Sequence, residues 1–339
     1  MINMLSIAID VMGGDHGPRE ILKGIELALQ KKTFKPVLFG KSDIINQYLK
    51  EFPKTSQCCE IVHCDSIVDA HTKPSIAFRY GRSSNLGKAI QSVADGITQA
   101  VISSGNTGAY MALCKSILKT LPGISRPAIP AIIPTCGESG KILVLDLGAN
   151  IECTPTHLVQ FAAMANILVK HLWNIENPTV GILNVGTEEM KGNIVVQETF
   201  KLLKEMKDIN THGFVEGSDI LYETTNIVVT DGFTGNIALK AIEGTAQFIG
   251  QTIKAEFSRT LLDKLRYLFA RKTFNRIKSK IDPRIYNGAL FLGLNHLAVK
   301  SHGSADAFSF SHAIYSTITM IERDLTPKIA KSLENIYIP

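Results

Sequence analysis

Gln99-Ala-Val-Ile-Ser-Ser-Gly-Asn-Thr-Gly-Ala109 decides the fold class. Its apolar first half has the length of a buried strand. Its second half is a small, glycine-containing turn that opens a helical pattern. The same form recurs. Asp10-Val-Met-Gly-Gly-Asp-His16 follows an apolar run at 5–11, and Asp146-Leu-Gly-Ala-Asn150 follows one at 141–145. Asn184-Val-Gly-Thr-Glu-Glu-Met-Lys-Gly192 follows 179–183, and Asp231-Gly-Phe-Thr-Gly-Asn236 follows 227–230. Further strand-like runs lie at 37–40, 60–64, 129–134, 289–294 and 296–300. Helical periodicity occupies 20–31, 85–94, 155–171 and 188–207. Strands alternating with helices predict an α/β protein with a largely parallel sheet, which binds ligands outside the carboxyl ends of its strands.

Those turns suit a phosphate. Glycine lets backbone N–H groups face a ligand, and a helix N-terminus favours an anion. The candidates are Asp10, Gly13, Gly14, Asp15 and His16 in the first turn, and Ser104, Gly105, Asn106, Thr107 and Gly108 in the second. Asp146 and Asn150, then Glu188, then Asp231, Gly232, Thr234 and Gly235 follow, with His302 after the run at 296–300. His16 and His302 read equally as turn residues. Neither a Walker A loop nor G-x-G-x-x-G is present, so the expected anion is small, such as inorganic phosphate. With Thr187 as N-cap, Lys191 falls in the first turn of the 188–207 helix, where it opposes the helix dipole unless an anion sits nearby. The alternative is a solvated lysine paired with a neighbouring Glu. Asn236, in the first turn after Thr234, offers an amide donor to phosphate or a carbonyl oxygen; the alternative is a local backbone hydrogen bond. Cys153 reads as a small buried thiol rather than a nucleophile. The nine histidines form no i,i+4 metal pair with a supporting acid. We expect no metal and no cofactor.

The chain has 339 residues, 45% hydrophobic and 20% charged, which excludes a disordered chain and admits one large domain or two modest ones. No apolar run reaches the ~18 residues of a transmembrane helix, and no signal peptide is read at the N-terminus. Six cysteines without a C-x-x-C pair read as reduced thiols, and a cytoplasmic location is expected. The formal charge of +5 is uneven. Residues 254–284 hold ten Lys/Arg against three acids, a local +7, so the rest carries −2. Phe257, Leu261, Leu265, Leu268 and Phe269 add an apolar stripe to this stretch. A basic amphipathic arm over 240–284 fits an anionic membrane surface or an acidic protein, and equally an ordinary solvated helix packed on a neighbour or a second subunit.

Taken together, the stretches 10–18, 103–109, 146–150, 184–192, 231–240 and 302–304 resemble, in order and across residues 1–325, the PlsX family of bacterial phosphate acyltransferases. The resemblance implies a three-layer α/β/α sandwich similar to phosphotransacetylases and isocitrate-type dehydrogenases, here a single catalytic domain over 1–339, and a homodimer. It implies reversible conversion of an acyl thioester on acyl carrier protein, plus phosphate, into acyl phosphate. That product would feed a membrane glycerol-3-phosphate acyltransferase, on or near the inner face of the cell membrane. It places the family's catalytic lysine and asparagine on Lys191 and Asn236. No nucleic-acid partner is expected. Two departures stand out. Gly213-Phe-Val-Glu-Gly217 replaces Gly-Asn-Val-Glu-Gly, and Asn287-Gly-Ala-Leu-Phe-Leu-Gly293 replaces Gly-Gly-Ala-Pro-Leu-Leu-Gly. The rival readings are a phosphotransacetylase-like enzyme using acyl-coenzyme A, a dehydrogenase, and a non-enzymatic acyl-chain or membrane-binding protein.

Overall fold

Apolar residues run nearly unbroken along the strands, and the computed structural model sends successive side chains to different cores. It describes residues 4–69 and 71–336, with Lys278 described by its backbone alone. Strands β1 (Ser6–Asp10), β2 (Lys35–Gly40), β3 (Glu60–His63) and β4 (Ala100–Ser103) enter one sheet; β5 (Ala131–Pro134), β6 (Lys141–Leu145), β7 (Thr179–Leu183), β8 (Asn210–Val215) and β9 (Ile227–Val229) form a second. β10 (Ala289–Leu290) and β11 (Leu297–Lys300) return to the first. The strand orders are β10-β11-β4-β1-β2-β3 and β5-β6-β9-β7-β8. Every pairing is parallel except β10–β11 and β5–β6, which lie at sheet edges.

Ile7 and Ile9 of β1 join one core cluster with Leu143 and Leu145 of β6, and this cluster spans both sheets. Ala8 and Val101 face the opposite way into a second cluster, and Ile142 and Val144 into a third. The helix Pro155–Trp173 lies within the shared cluster, burying every residue from Leu158 to Val169. A capping box at its start, Thr154 with His157, replaces lost intrahelical partners. Helices cover both faces of the sheets: Leu86 and Ile90 of Asn85–Ala94 pack against Ala8, and Phe310 and Ile314 of Ala307–Glu322 against the shared cluster. This is the α/β/α layering expected, built on two sheets rather than one.

Four readings need correction. The helix expected over 188–207 runs only from Ile194 to Glu205, capped by Asn193, because Gly192 adopts φ +94 and ends any helical path. Lys191 is therefore in a loop and opposes no helix dipole. The helix after β9 begins at Gly232 with Asp231 as N-cap, which places Asn236 in its second turn, not the first turn after a Thr234 cap. The run at 289–294 is strand only at its first two residues; Leu292 and Leu294 make single bridges to Ala128 and Thr120. β8 was not expected, since its first half, Asn210-Thr-His212, is polar.

Both departures from the family pattern are apolar packing. Phe214 is buried with its ring 4.8 Å from that of Phe200, and Leu290 is buried opposite Val299.

Gly24 marks a close helix contact. A Cβ there would lie 2.9 Å from the Ala307 carbonyl oxygen and 3.0 Å from Phe310 Cβ. Gly24→Val should lower stability by about 1–3 kcal/mol through forced separation of the two helices. An unchanged urea midpoint would contradict that packing.

Candidate active site

Parallel pairing brings the carboxyl ends of neighbouring strands together, so their loops form two groups. The first gathers loops after β1, β4 and β11, adjacent in the first sheet. Its centre is Asp10, 1% exposed. Ser103 Oγ donates to its Oδ2 at 2.7 Å, while the Met12 amide at 3.1 Å and Asn85 Nδ2 donate to its Oδ1. Burial raises the Asp10 pKa, and these hydrogen bonds pull it back toward the ionised form. Both of its oxygens are engaged within the chain, so Asp10 holds the turns together. Gly13 lies against the Gly105 amide, where a Cβ would come within 2.7 Å of the nitrogen. The Asp15 amide donates to the Gly303 carbonyl at 2.8 Å, tying the first turn to the third. Asn106 caps the helix Thr107–Ile117 by accepting from the Ala109 amide at 2.9 Å, and Gly108 packs beside Pro74. His16 precedes the helix Gly17–Leu29 without a side-chain cap bond, and His302 Nδ1 lies 2.9 Å from Ser304 Oγ; both are exposed turn residues.

The second group gathers loops after β6, β9 and β7, adjacent in the second sheet. Asp146 is fully buried. It accepts from the amides of Ile129 at 2.9 Å, Ala149 at 3.3 Å and Asn150 at 2.6 Å, and from Asn150 Nδ2 at 2.9 Å. Burial raises its pKa against these bonds. Asn150 also donates to the Pro127 carbonyl at 2.8 Å. Both are scaffold for the turn. The Gly232 amide donates to the Asn150 carbonyl at 2.8 Å, and Asp231 accepts from the Thr234 amide and hydroxyl, each at 2.8 Å. Gly235 packs against the Asp146 main chain, leaving no room for a side chain. Asn236 is thereby set beside Gly148: a Cβ on Gly148 would lie 3.6 Å from the Asn236 amide nitrogen.

On the next loop, Lys191 Nζ forms an ion pair with Glu188 at 2.8 Å, and both are about half exposed. The hydrogen bond raises the Lys191 pKa and lowers that of Glu188, so the lysine stays cationic. Lys191 thus takes the partner foreseen in the alternative reading, on the loop after β7, next to the strand β9 that leads into Asn236's helix. The two groups adjoin: Ala149 packs against the cluster holding Ala109 and Tyr110. Cys153 is half-buried, and burial, with Asp146 and Asp231 nearby, pushes its thiol up to about 12. It is a neutral thiol at neutral pH, not an activated nucleophile.

A model of the Fatty acid synthesis protein family matches residues 5–328. The chain belongs to that family. Among its relatives is the phosphate acyltransferase of Paramagnetospirillum magneticum, 42% identical over 98% of this chain and 95% of that protein. That of Methylococcus capsulatus is 44% identical over 98% of both, and that of Azorhizobium caulinodans 45% identical over 96% and 93%. The expected membership of the phosphate acyltransferases stands. At the level of fold, a phosphotransacetylase from Streptococcus pyogenes superposes with a TM-score of 0.60 at 17% identity, over 98% of this chain and 95% of that one. A branched-chain phosphotransacylase from Enterococcus faecalis gives 0.59 at 16%, over 94% and 99%.

Lys300 was not among the residues expected at the site. It is a buried lysine at the end of β11, in the first loop group. The available signal was a charged residue closing the apolar run Leu-Ala-Val. Among the described residues, no cluster of His, Cys, Asp or Glu could hold a metal, and no helix is long and apolar enough to cross a membrane.

Asp146→Ala should strand three amide donors in the interior and cost at least about 3 kcal/mol. Thermal or urea denaturation reads this directly; an unchanged midpoint would show that the turn does not depend on the carboxylate.

Proposed function

We propose that the protein transfers an acyl group from the thioester of acyl carrier protein to inorganic phosphate, reversibly, giving acyl phosphate and free carrier for phospholipid synthesis. One observation carries the reading within the family. Lys191 stands on the loop after β7 and Asn236 on the helix that follows the adjacent β9, so both can donate, and the Cys153 thiol near Asp146 and Asp231 is held protonated. Such a site suits direct attack by phosphate rather than a covalent acyl-enzyme.

A phosphate oxygen attacks the thioester carbonyl carbon. The tetrahedral centre collapses, the C–S bond breaks, and the sulfur leaves with the electron pair. A thiol of pKa near 8.5 needs little acid assistance. The site supplies positioning and charge stabilisation. The turns at 103–108 and 231–235 hold phosphate at helix N-termini. Lys191 neutralises the developing oxyanion or the phosphate, and Asn236 donates a hydrogen bond there. The shared core of the two sheets supports treating residues 1–339 as one catalytic unit.

Acyl-coenzyme A is the second donor to weigh, because the phosphotransacetylase fold is close. Phosphate-dependent thiol release from both donors separates the two. Lys191→Ala should reduce turnover about 100–1000-fold. Its fold should survive, since the Lys191 side chain is half exposed and its ion pair is with the exposed Glu188 carboxylate. In the same assay Cys153→Ala should keep most activity. Near-normal rates for Lys191→Ala, or trapping of an acyl-Cys153 adduct, would overturn the mechanism.

The arm supplies the finer part of the proposal. The helices Gly232–Glu256 and Leu261–Ile281 are joined by a ring cluster, Phe257 with Tyr267 and Phe274. Leu261, Leu265, Leu268 and Phe269 stay exposed, so the stripe finds no cover on the body. We assign the apolar stripe to a homodimer and the charge to an anionic membrane or to the acidic carrier. Lys278 contributes to the sequence charge, but its side chain lies outside the described residues. Replacing Arg271, Lys272 and Arg276 by Gln should weaken vesicle or carrier binding and flatten its dependence on salt. Unchanged binding would leave these charges only solvating the arm.

A further inference from the structure

Two groups at the ends of β11 and β4 are chemically incomplete. Lys300 pairs in register with Ser103, and Ser103 bonds Asp10, so the three side chains share one face of the first sheet. Lys300 is 8% exposed. Its ammonium donates to the Ser301 carbonyl, and among the described residues it forms no ion pair. A buried cation without a counter-ion is costly. Asp10 and Asp15 favour its charge from a distance, but neither forms an ion pair with it. Independently, Ser104 is 3% exposed, and its hydroxyl has no hydrogen-bond partner among the described residues. The Gly14 and Gly303 turns stand beside it. A Cβ on Gly14 would lie 3.0 Å from Ser104 Cβ and 3.3 Å from the Gly303 carbonyl oxygen. The helix Thr107–Ile117 starts three residues on, with its N-terminus toward the same turn.

We propose that Lys300 and Ser104 bind the phosphate nucleophile, leaving Lys191 and Asn236 to act on the thioester carbonyl oxygen. This rests on the acyl-transfer reading above. A phosphate completes both groups at once. It supplies a counter-ion to the ammonium and acceptor oxygens for the orphan hydroxyl, at a helix N-terminus. Burial lowers the Lys300 pKa to about 8, while Asp10 and Asp15 raise it, so the ammonium is largely charged at neutral pH. An arriving phosphate favours the charged form further.

The test is calorimetric titration of the whole protein with inorganic phosphate, beside phosphate-dependent thiol release from an acyl carrier protein thioester. Lys300→Met should raise both Kd and KM for phosphate about 10–100-fold. Ser104→Ala should raise them by about 3–10-fold. Its melting temperature should not fall, because the lost hydroxyl has no partner to leave behind. If Lys300→Met does not fold, Ser104→Ala decides alone. Unchanged phosphate Kd and KM in the folded variants overturn the proposal, as does loss of stability without loss of phosphate affinity. Wild-type protein that binds phosphate but releases no thiol would end the acyl-transfer reading, and the calorimetric Kd values would still judge the seat. No phosphate binding by wild type at millimolar concentrations ends the seat itself.

Discussion

Each sheet has one buried carboxylate at the end of a strand, and the loops above it are shaped by what that carboxylate accepts. Asp10 closes β1 and gathers Met12, Ser103 and Asn85. Asp146 follows β6 and gathers Ile129, Ala149 and Asn150. Burial opposes a charge, and several donors converging on it restore the balance. The apolar core stabilises the sheets without regard to how a polar loop lies above them. A multiply bonded carboxylate fixes that detail, because losing one donor leaves a buried acceptor unsatisfied. Asp10 and Asp146 thus fix the turns on which the site is built.

Three positive regions then have separate work, set by their surroundings. Lys191 is half exposed and already paired, so its attraction to an anion is weakened by water. Lys300 sits in the interior, where charges 4 Å apart interact about four times more strongly than in bulk water. The +7 of residues 254–284 projects on solvated helices, and at physiological salt its reach is about 8 Å. In the proposed seat a phosphate needs little of this surface charge, since one buried ammonium and a helix N-terminus would hold it.

Much of the fold was legible because its signal is local. Buried parallel strands are nearly continuous apolar runs; 5–11, 99–103 and 141–146 contain the strands found there, and 37–40 covers all but the first two residues of β2. β8 was hidden by Thr211, His212 and Gly213, polar or bare residues on an edge strand that needs less burial. The 188–207 helix was drawn too long because Glu188 and Glu189 resemble a first turn. The true start was written as Gly192-Asn193, a residue free to adopt positive φ followed by a capping side chain. Lys300 escaped notice because a lone charge after an apolar run gives no sign of its depth.

The sequence by itself determined the α/β class, the strand-end turns, the family likeness and the location of the basic arm, all properties of residues near one another in the chain. Tertiary structure decided which turns meet. β11, β4 and β1 are neighbours although about 190 residues separate β4 from β11, and only their pairing sets Lys300 beside Ser103. It also decided which polar groups are satisfied: Asp10 and Asp146 are, while among the described residues the Ser104 hydroxyl has no hydrogen-bond partner and Lys300 no ion pair. Burial and hydrogen-bond partnership depend on contacts remote in sequence, so no local pattern encodes them.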